Sequence, residues 1–328
     1  MSVMRYREAV RAAMIEEMER DERVYLIGEE VGAYQGAYKV SEGMLERFGP
    51  KRVIDAPITE SGFTGISIGA AMVGLRPIVE YMTWNFSAVA FDQILNNAAK
   101  IRQMSGGQLH VPIVLRAPNG SARQVGSQHS HAMEHFYAHV PGLKVLAPAT
   151  PADAKGLLKA AIRDDDPVLF MESETLYNVK GEVPDDPDFV VPMGQARVAR
   201  EGKDVSIIAY GRPVHLALEA AAQLEKEGID AEVVDLRSLR PLDEEALVRT
   251  VQKTHRAVLT YEGWPYGGVG GEVVDRIQRL AFDELDAPIL RVTFRDVPMP
   301  YNAKLEQYVL PQPDRIADAV REVLYRKG

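Results

Sequence analysis

The chain has 328 residues, 46% of them apolar, and this length is ample for two separately packed cores. Its 38 Lys and Arg residues stand against 47 Asp and Glu residues, and the resulting net charge of −9 argues against nucleic acid or an anionic membrane as partner. There is no cysteine, which excludes thiolate chemistry, and no segment approaches the roughly 20 apolar residues of a membrane span, so we expect a soluble, cytoplasmic protein.

The first half of the chain alternates between helical and strand patterns. Apolar residues recur at helical spacing over 6–20, and a short apolar strand follows over 24–28. The elements predicted after these are a strand over 53–55, a small-residue helix over 62–73, a strand over 77–82, a long helix over 87–105 and a strand over 110–116. Buried strands that alternate with helices predict an α/β domain with a mostly parallel sheet.

A polar stretch rich in proline and aspartate follows, between about 183 and 202, and it cannot form the interior of a helix. A second α/β pattern comes after it, with strands over 205–211, 231–236 and 257–260 and helices over 214–227, 243–253 and about 314–325. We therefore predict two domains, 1–185 and 203–328, joined by a linker over 186–202.

Glu60 is the first candidate for chemistry. It follows an X-Pro turn and precedes a helix whose glycine and alanine content permits close backbone packing. A lone glutamate at a helix start is usually a partner of the helix dipole. A carboxylate beside apolar walls, however, needs a dedicated hydrogen-bonding partner, and a protonatable ring nitrogen would be suitable.

The segment 81–87 places aromatic residues and Met82 at the end of a predicted parallel strand, where open α/β sheets usually bind ligands. Such a cluster is equally typical of a core edge, and the sequence leaves both interpretations open.

Four of the seven histidines lie between 129 and 139. His131, His135 and His139 would share one face if the segment were helical, which is compatible either with a metal site or with an exposed helix face. His129 differs because it ends a long Gly/Ser/Asn-containing loop, and a neutral histidine there can donate or accept a proton near pH 7.

Several stretches carry a resemblance to a known family. They are residues 28–31, 56–63, 82–86, 104–107, 128–130, 141–145, 153–157 and 296–301. In these stretches the chain resembles the beta subunits of thiamine-diphosphate-dependent 2-oxo acid dehydrogenases, most closely those of the pyruvate dehydrogenase type. The resemblance implies a two-domain α/β fold, with a pyrimidine-binding, parallel-sheet domain followed by a transketolase C-terminal-type domain.

The resemblance also implies roles for individual residues. Glu60 would hydrogen-bond N1′ of the aminopyrimidine, Met82 and Phe86 would pack on that ring, and Ile58 would contact it nearby. His129 matches the family's active-site histidine, which assists decarboxylation or reductive acyl transfer to a lipoyl group.

A structural monovalent cation, such as K⁺, is implied as well, held largely by backbone carbonyls. An all-oxygen shell at a helix end suits a hard cation, although a solvated turn is the alternative for residues 164–166. The matching positions are Ile113, Ala161, Ile162, Asp164 and Asp166.

The chain contains no Gly-Asp-Gly sequence of the kind that holds magnesium and diphosphate in this superfamily. The resemblance therefore implies a separate alpha subunit that holds Mg²⁺, an α2β2 heterotetramer, and a lipoyl-bearing acyltransferase core as a further partner.

The main prediction is a subunit of a pyruvate dehydrogenase type oxidoreductase. It would act on pyruvate with thiamine diphosphate and transfer the acetyl group to the lipoyl-acyltransferase. Acetoin and branched-chain 2-oxo acid dehydrogenases remain alternatives because they share this architecture. The C-terminal half of a split transketolase and a non-catalytic scaffold subunit are alternatives of other classes.

Overall fold

The computed structural model describes residues 1–326, which form two compact units. Unit 1 consists of Met1–Asn119 and Phe136–Met193, and unit 2 consists of Gly120–His135 together with the chain from Gly194 onward. Residues 120–135 therefore pack with the second unit, although in sequence they lie inside the first predicted domain. Contacts between residues far apart in sequence place this segment in unit 2, and the local apolar periodicity does not reveal such contacts.

Unit 1 is built on six parallel strands in the order β6-β7-β5-β4-β2-β3, with a separate antiparallel pair formed by β1 and β8. The strands are β1 Ser2–Arg5, β2 Val24–Gly28, β3 Val53–Asp55, β4 Arg76–Glu80, β5 Val114–Pro118, β6 Lys144–Leu146, β7 Val168–Glu172 and β8 Lys180–Val183. The helices before residue 194 are α1 Tyr6–Arg20, α2 Met44–Phe48, α3 Glu60–Met72, α4 Ile101–Met104, α5 Glu134–Ala138 and α6 Pro151–Arg163.

Fully buried strands explain the parallel sheet of unit 1. Every residue of β2, β5 and β7 is buried, as expected for strands that are covered on both faces. Helix α6 begins where local chemistry favours it, because Thr150 accepts a hydrogen bond from the Asp153 backbone and Pro151 occupies the first turn. The predicted strand over 110–116 begins later, at Val114, since Pro112 has no backbone N–H to give to a ladder.

The single long helix predicted over 87–105 is wrong. The chain instead forms a 3₁₀ helix over Trp84–Ala88, a π-helix over Gln93–Ala98 and then α4. The Ala99 N–H donates to the Ile94 carbonyl at 3.0 Å, five residues back, which widens the helix at this point. Apolar periodicity does not resolve this difference, because both helix types present similar spacing over two turns.

Unit 2 contains a five-stranded sheet in the order β14-β13-β10-β11-β9, in which only β9 is antiparallel to its neighbour among the described strands. Its strands and one further short strand, β12, are β9 Arg197–Arg200, β10 Val205–Ala209, β11 Ala231–Asp235, β12 Ser238–Arg240, β13 Ala257–Thr260 and β14 Leu290–Val292. Its helices are α7 Pro213–Glu225, α8 Glu244–Thr254, α9 Val269–Ala281, α10 Ala303–Val309 and α11 Pro313–Val323.

The elements predicted for unit 2 lie close to the observed β10, β11, β13, α7, α8 and α11. Asp243 caps α8 by accepting the Ala246 N–H at 2.9 Å, as its position before an amphipathic run suggests. Over residues 1–326, no helix combines the length and the apolar content that crossing a membrane requires.

Candidate active site

Glu60 is the first residue of α3, in unit 1. Strand β3 ends at Asp55, and the short loop 56–59 leads from the carboxyl edge of the sheet to Glu60. The first turn of a helix favours a negative charge. The residue is nonetheless only 6% exposed, and a carboxyl group this buried needs hydrogen-bonding partners.

Glu29 is the partner that sequence reasoning missed. It directly follows β2, which pairs with β3, and it is 4% exposed. Burial, the charge of Glu60 and a hydrogen bond with Glu60 raise the pKa of Glu29 from 4.5 to about 7. A carboxylate directly after a fully buried strand was the available signal, since ligands bind at the carboxyl ends of parallel strands.

Glu29 therefore keeps its proton close to neutral pH. Among the described atoms, Glu29 Oε1 is buried and has no hydrogen-bond partner. A buried acceptor without a donor is costly, and the cost is removed when a ligand supplies the donor. The pair is thus suited to a ligand that brings an N–H group.

The backbone around this pair is fixed by close packing and by Asp55. A Cβ at Gly28 would lie 2.3 Å from the Glu80 carbonyl oxygen, so only glycine allows β2 and β4 to approach this closely before Glu29. The Asp55 carboxylate accepts the backbone N–H groups of Gly32 at 2.6 Å and Ala33 at 2.9 Å. These bonds tie the segment after Glu29 to the end of β3.

The other cofactor residues implied by the resemblance also lie in unit 1. Met82 and Phe86 follow β4, the other neighbour of β2, and both are half-buried. Ile58 lies in the loop before Glu60 and is 81% exposed. The structure thus brings Glu60 and Met82 to the same edge of the sheet and leaves apolar surface available at Ile58.

Trp84 belongs to the core rather than to a pocket wall. It is fully buried, and its Nε1–H donates to the Phe170 carbonyl at 3.2 Å. Its ring lies 5.6 Å from that of Tyr81 and 5.5 Å from that of Tyr137. The segment 81–87 therefore serves both purposes that the sequence left open, core packing at Tyr81 and Trp84 and accessible surface at Met82 and Phe86.

His129 lies in unit 2, in a 3₁₀ turn over Ser127–His129, and its side chain is exposed. The turn is held by the His129 N–H, which donates to the Gly126 carbonyl at 3.3 Å, and by the Ser130 hydroxyl, which donates to the same carbonyl at 2.8 Å. Glu60, Ile58, Met82 and Phe86 lie in unit 1, so the predicted site residues are divided between the units.

The segment is not helical throughout, so His131, His135 and His139 do not share one helix face. Helix α5 covers only Glu134–Ala138, and it leaves His131 and His139 outside. Within residues 1–326, no group of three His, Asp or Glu side chains is arranged to hold a metal ion. Burial instead lowers the pKa of His131 and of His135.

Four of the five predicted cation positions lie together at the end of α6. The fifth, Ile113, is tied to the same region because its carbonyl accepts the Val168 N–H at 2.9 Å. The Arg76 guanidinium donates to the carbonyls of Ile162 at 3.1 Å and Asp164 at 3.2 Å. The oxygen-only donor set and the helix end fit a hard cation, but Arg76 already contributes a positive charge there.

The fold and the site together define a two-domain α/β protein of the transketolase class. Family models of the transketolase pyrimidine-binding domain and the transketolase C-terminal domain match residues 2–180 and 194–316. A solved structure described as a split gene transketolase, inactive beta4 tetramer, superposes with a TM-score of 0.79 and 26% identity, covering 99% of both chains. The predicted fold class is confirmed.

Curated relatives identify the family more closely. The pyruvate dehydrogenase E1 component subunit beta of Rhizobium meliloti is 53% identical over 99% of this chain and 71% of its own length. The mitochondrial E1 component subunit beta of Caenorhabditis elegans is 53% identical (98% of this chain and 93% of its own length covered). The E1 component subunit beta of Rickettsia felis is 52% identical (97% and 98% covered). This chain belongs to the family of pyruvate dehydrogenase E1 component beta subunits, and the predicted resemblance and oxidoreductase class are confirmed.

Thiamine diphosphate is the cofactor that goes with this family and its pyrimidine-binding domain. The residues of unit 1 fit its aminopyrimidine, because Glu29 Oε1 needs a donor and the half-buried Met82 and Phe86 offer apolar surface nearby. A ring that combines N–H donors with a flat apolar face meets both requirements.

Proposed function

We propose that this chain is the beta subunit of a pyruvate dehydrogenase first component, which decarboxylates pyruvate oxidatively and transfers the acetyl group to a lipoyl group. The observation that carries this proposal is the buried Glu29–Glu60 carboxyl pair at the carboxyl edge of a parallel sheet. The identity of 53% to relatives that bear the pyruvate dehydrogenase name supports the choice of substrate.

Glu60 would hold the aminopyrimidine through a hydrogen bond to N1′, with Met82 and Phe86 packing on the ring and Ile58 beside it. When bound, the cofactor would supply a nucleophilic carbon and an electron sink for the decarboxylation of the 2-oxo acid. A carboxylate in a pocket of low dielectric makes a strong charge-assisted hydrogen bond, which raises the basicity of the ring system. Glu29 keeps its proton up to about pH 7 and so limits repulsion within the pair.

His129 would move a proton during decarboxylation or during acetyl transfer to the lipoyl group. Its exposed position in a loop supports this role, because an imidazole there can reach a reacting group, and histidine is a common general acid or base in enzymes. Its place within the Gln128-His129-Ser130 motif supports the same assignment.

A separate alpha subunit would hold the diphosphate and Mg²⁺, in an α2β2 heterotetramer that acts in the cytoplasm with a lipoyl-bearing acyltransferase core. The absence of a Gly-Asp-Gly sequence from these 328 residues supports a divided site. Each of these relatives is named as a subunit of a component, and these names support an assembly of several chains. We further propose the domain limits 1–185 and 203–328 with a linker over 186–202, and K⁺ as the ion at the end of α6.

A second candidate is the C-terminal half of a split transketolase, which the structural similarity to a split gene transketolase favours. The identity of 26% to that chain is half the 53% found for the pyruvate dehydrogenase relatives. Acetoin and branched-chain 2-oxo acid dehydrogenases remain the nearest alternatives in chemistry.

The substrate is tested by purifying the chain together with an alpha subunit of the same complex and measuring CO₂ release and lipoyl acetylation. We expect pyruvate to give the highest kcat/KM among pyruvate, acetoin, branched 2-oxo acids and a ketose phosphate. A preference for the ketose phosphate without any lipoyl requirement would replace the proposal by the transketolase alternative.

The role of Glu60 is tested by Glu60→Gln in the same complex, with Glu8→Gln as the control. Glu8 also lies in the first turn of a helix, where it accepts the Arg5 N–H at 2.8 Å and has no place in the proposed site. We expect Glu60→Gln to lower the decarboxylation rate by roughly 10²-fold or more, and Glu8→Gln to leave it unchanged. Equal rates for the two variants would make Glu60 a helix-start residue only.

A further inference from the structure

Residues 120–131 form a closed loop that carries His129. The Gly120 N–H donates to the His131 carbonyl at 3.0 Å, so the two ends of the loop meet. All of this segment belongs to unit 2, as do the residues that hold it. The position of the His129 side chain therefore depends on what fixes the loop to the rest of that unit.

Glu262 holds the base of this loop. It follows β13, is 6% exposed, and accepts the Ser121 backbone N–H at 2.9 Å and the Ser121 hydroxyl at 3.2 Å. Gly120 has a φ of +78°, and a Cβ there would lie 2.0 Å from Glu262 Oε2. The backbone thus approaches the carboxylate as closely as only glycine permits.

Arg212 places a positive charge beside this buried carboxyl group. Its Nη1–H donates to Glu262 Oε1 at 2.9 Å and to the Ser121 hydroxyl at 3.2 Å. Hydrogen bonds to an ionised carboxylate are roughly twice as strong as neutral ones. The base of the loop is therefore held by a charge-assisted network rather than by van der Waals contact alone.

Further along, the loop is held by two other hydrogen bonds to the same unit. The Gln124 N–H donates to Glu306 Oε1 at 2.9 Å, and the Ser127 hydroxyl donates to the Met299 carbonyl at 2.8 Å. Ser127 begins the 3₁₀ turn that ends at His129. Only the base of the loop combines a buried carboxylate, a counter-charge and an obligatory glycine.

We propose that Glu262 is a positioning residue for His129, acting through the loop base at Gly120–Ser121. This rests on the proposed catalytic role of His129. Misplacing a catalytic group by about 1 Å costs up to roughly 10²-fold in rate, so loosening the loop base is expected to lower kcat without greatly changing substrate affinity.

The test is a double-mutant cycle of Glu262→Gln and His129→Ala in the complete enzyme with its alpha subunit. We expect Glu262→Gln to lower kcat about tenfold while the pyruvate KM changes less than about twofold, and to have almost no further effect once His129 is alanine. An equal effect of Glu262→Gln with and without His129 would overturn the proposal, because the loss would then be general.

The matched control is Glu232→Gln. Glu232 is also a buried carboxylate of unit 2, 2% exposed, and it also pairs with a cation, Lys253, and a hydroxyl, Thr250, but it does not contact the loop. We expect this variant to lose stability without the dependence on His129.

Hydrogen exchange of the 120–131 amides and the rate of His129 carbethoxylation provide readouts that do not depend on activity. We expect Glu262→Gln to speed exchange at Ser121 and to change the modification rate, and Glu232→Gln to do neither. If His129→Ala keeps the wild-type kcat, the proposed role of His129 is wrong. Even then, the exchange and carbethoxylation rates decide whether Glu262 fixes the loop. Unchanged rates would overturn that anchoring.

Ser121→Ala serves if Glu262→Gln does not fold. It removes one donor to Glu262 and leaves the Glu262–Arg212 ion pair in place. We expect smaller changes of the same kind, with kcat lowered by about threefold. An unaltered kcat together with unaltered exchange would count against the proposal.

Discussion

Glu29 and Glu60 form a pair of buried carboxyl groups in which the pKa of Glu29 is raised to about 7. In the unfolded chain Glu29 loses its proton near its ordinary pKa of 4.5, and in the folded chain it does so near 7. Between these values the folded state binds more protons than the unfolded state. The contribution of Glu29 to the free energy of unfolding therefore falls as pH rises, and it stops falling once the folded group is ionised.

The first prediction concerns Glu29→Gln in the absence of cofactor. The amide keeps the shape of the protonated carboxyl group and cannot ionise. We expect the wild type to lose up to about 2 kcal/mol relative to the variant between about pH 4.5 and pH 7, since solvent screens part of the interaction. Urea unfolding across this range measures the difference, and parallel pH profiles for the two proteins would contradict the raised pKa of Glu29.

The second prediction concerns Arg116, which lies between Glu80 and Glu172 on three neighbouring strands. Its guanidinium bonds Glu172 at 2.5 and 2.7 Å and also pairs with Glu80, and all three groups are buried. Arg116→Met leaves two buried carboxyl groups without a counter-charge, so we expect a loss of about 3–5 kcal/mol in urea unfolding.

The exposed ion pair of Arg249 with Glu245, at 3.4 Å on α8, provides the control for this change. Arg249→Met is expected to cost less than about 0.5 kcal/mol. Adding Glu172→Gln to Arg116→Met should recover part of the loss. A small cost for Arg116→Met alone would mean that the carboxyl groups are protonated or solvated in the folded state.

The third prediction concerns Trp84→Phe. The change removes the donor to the Phe170 carbonyl and leaves a gap among the rings of Tyr81 and Tyr137. We expect a loss of about 1–3 kcal/mol in the free energy of unfolding, measured by urea denaturation followed by circular dichroism.

Trp264→Phe is the natural control, because these are the only two tryptophans and the Trp264 N–H bond to the Val297 carbonyl is exposed. It should cost less than Trp84→Phe. With Trp264 replaced, the remaining emission comes from the buried Trp84 and should be blue-shifted. Red-shifted emission from that variant would be inconsistent with a core position.

The fourth prediction concerns the cation positions at the end of α6. If K⁺ binds these carbonyls in the folded state only, replacing choline by K⁺ at constant ionic strength should raise the free energy of unfolding by about 1.4 kcal/mol at tenfold excess over Kd. Thermal unfolding in KCl, NaCl and choline chloride measures this. Equal midpoints in KCl and choline chloride would contradict K⁺ binding and leave Arg76, at the carbonyls of Ile162 and Asp164, and Lys144, at the Asp164 carboxylate, as positive charges that the structure provides there.

Much of the fold could be predicted from local pattern. Helix α1 and the strands β2, β3 and β13 have the predicted bounds, because their apolar spacing and flanking turns are local properties of the sequence. The break between Trp84 and Met104 was not predictable in this way, since a π-helix preserves apolar spacing. Apolar periodicity therefore predicted the type of these elements, but it did not distinguish an α-helix from a 3₁₀ or π-helix.

The candidate site was also only partly predictable from the sequence. Glu60 and His129 could be chosen from sequence because each carries a chemical signal in its own neighbourhood, a carboxylate at a small-residue helix and an imidazole at the end of a loop. The raised pKa of Glu29 could not be predicted, and neither could the contact of Glu262 with Ser121, which lies 141 residues away. Both depend on contacts that form only when distant segments meet.

The sequence by itself determined the class of fold, the family and the residue types available for chemistry. Tertiary structure decided which carboxyl groups are buried together and which unit holds the 120–135 loop. The physical reason is that apolar periodicity and capping act over a few residues, whereas burial and hydrogen bonding between remote groups are set by packing of the whole unit.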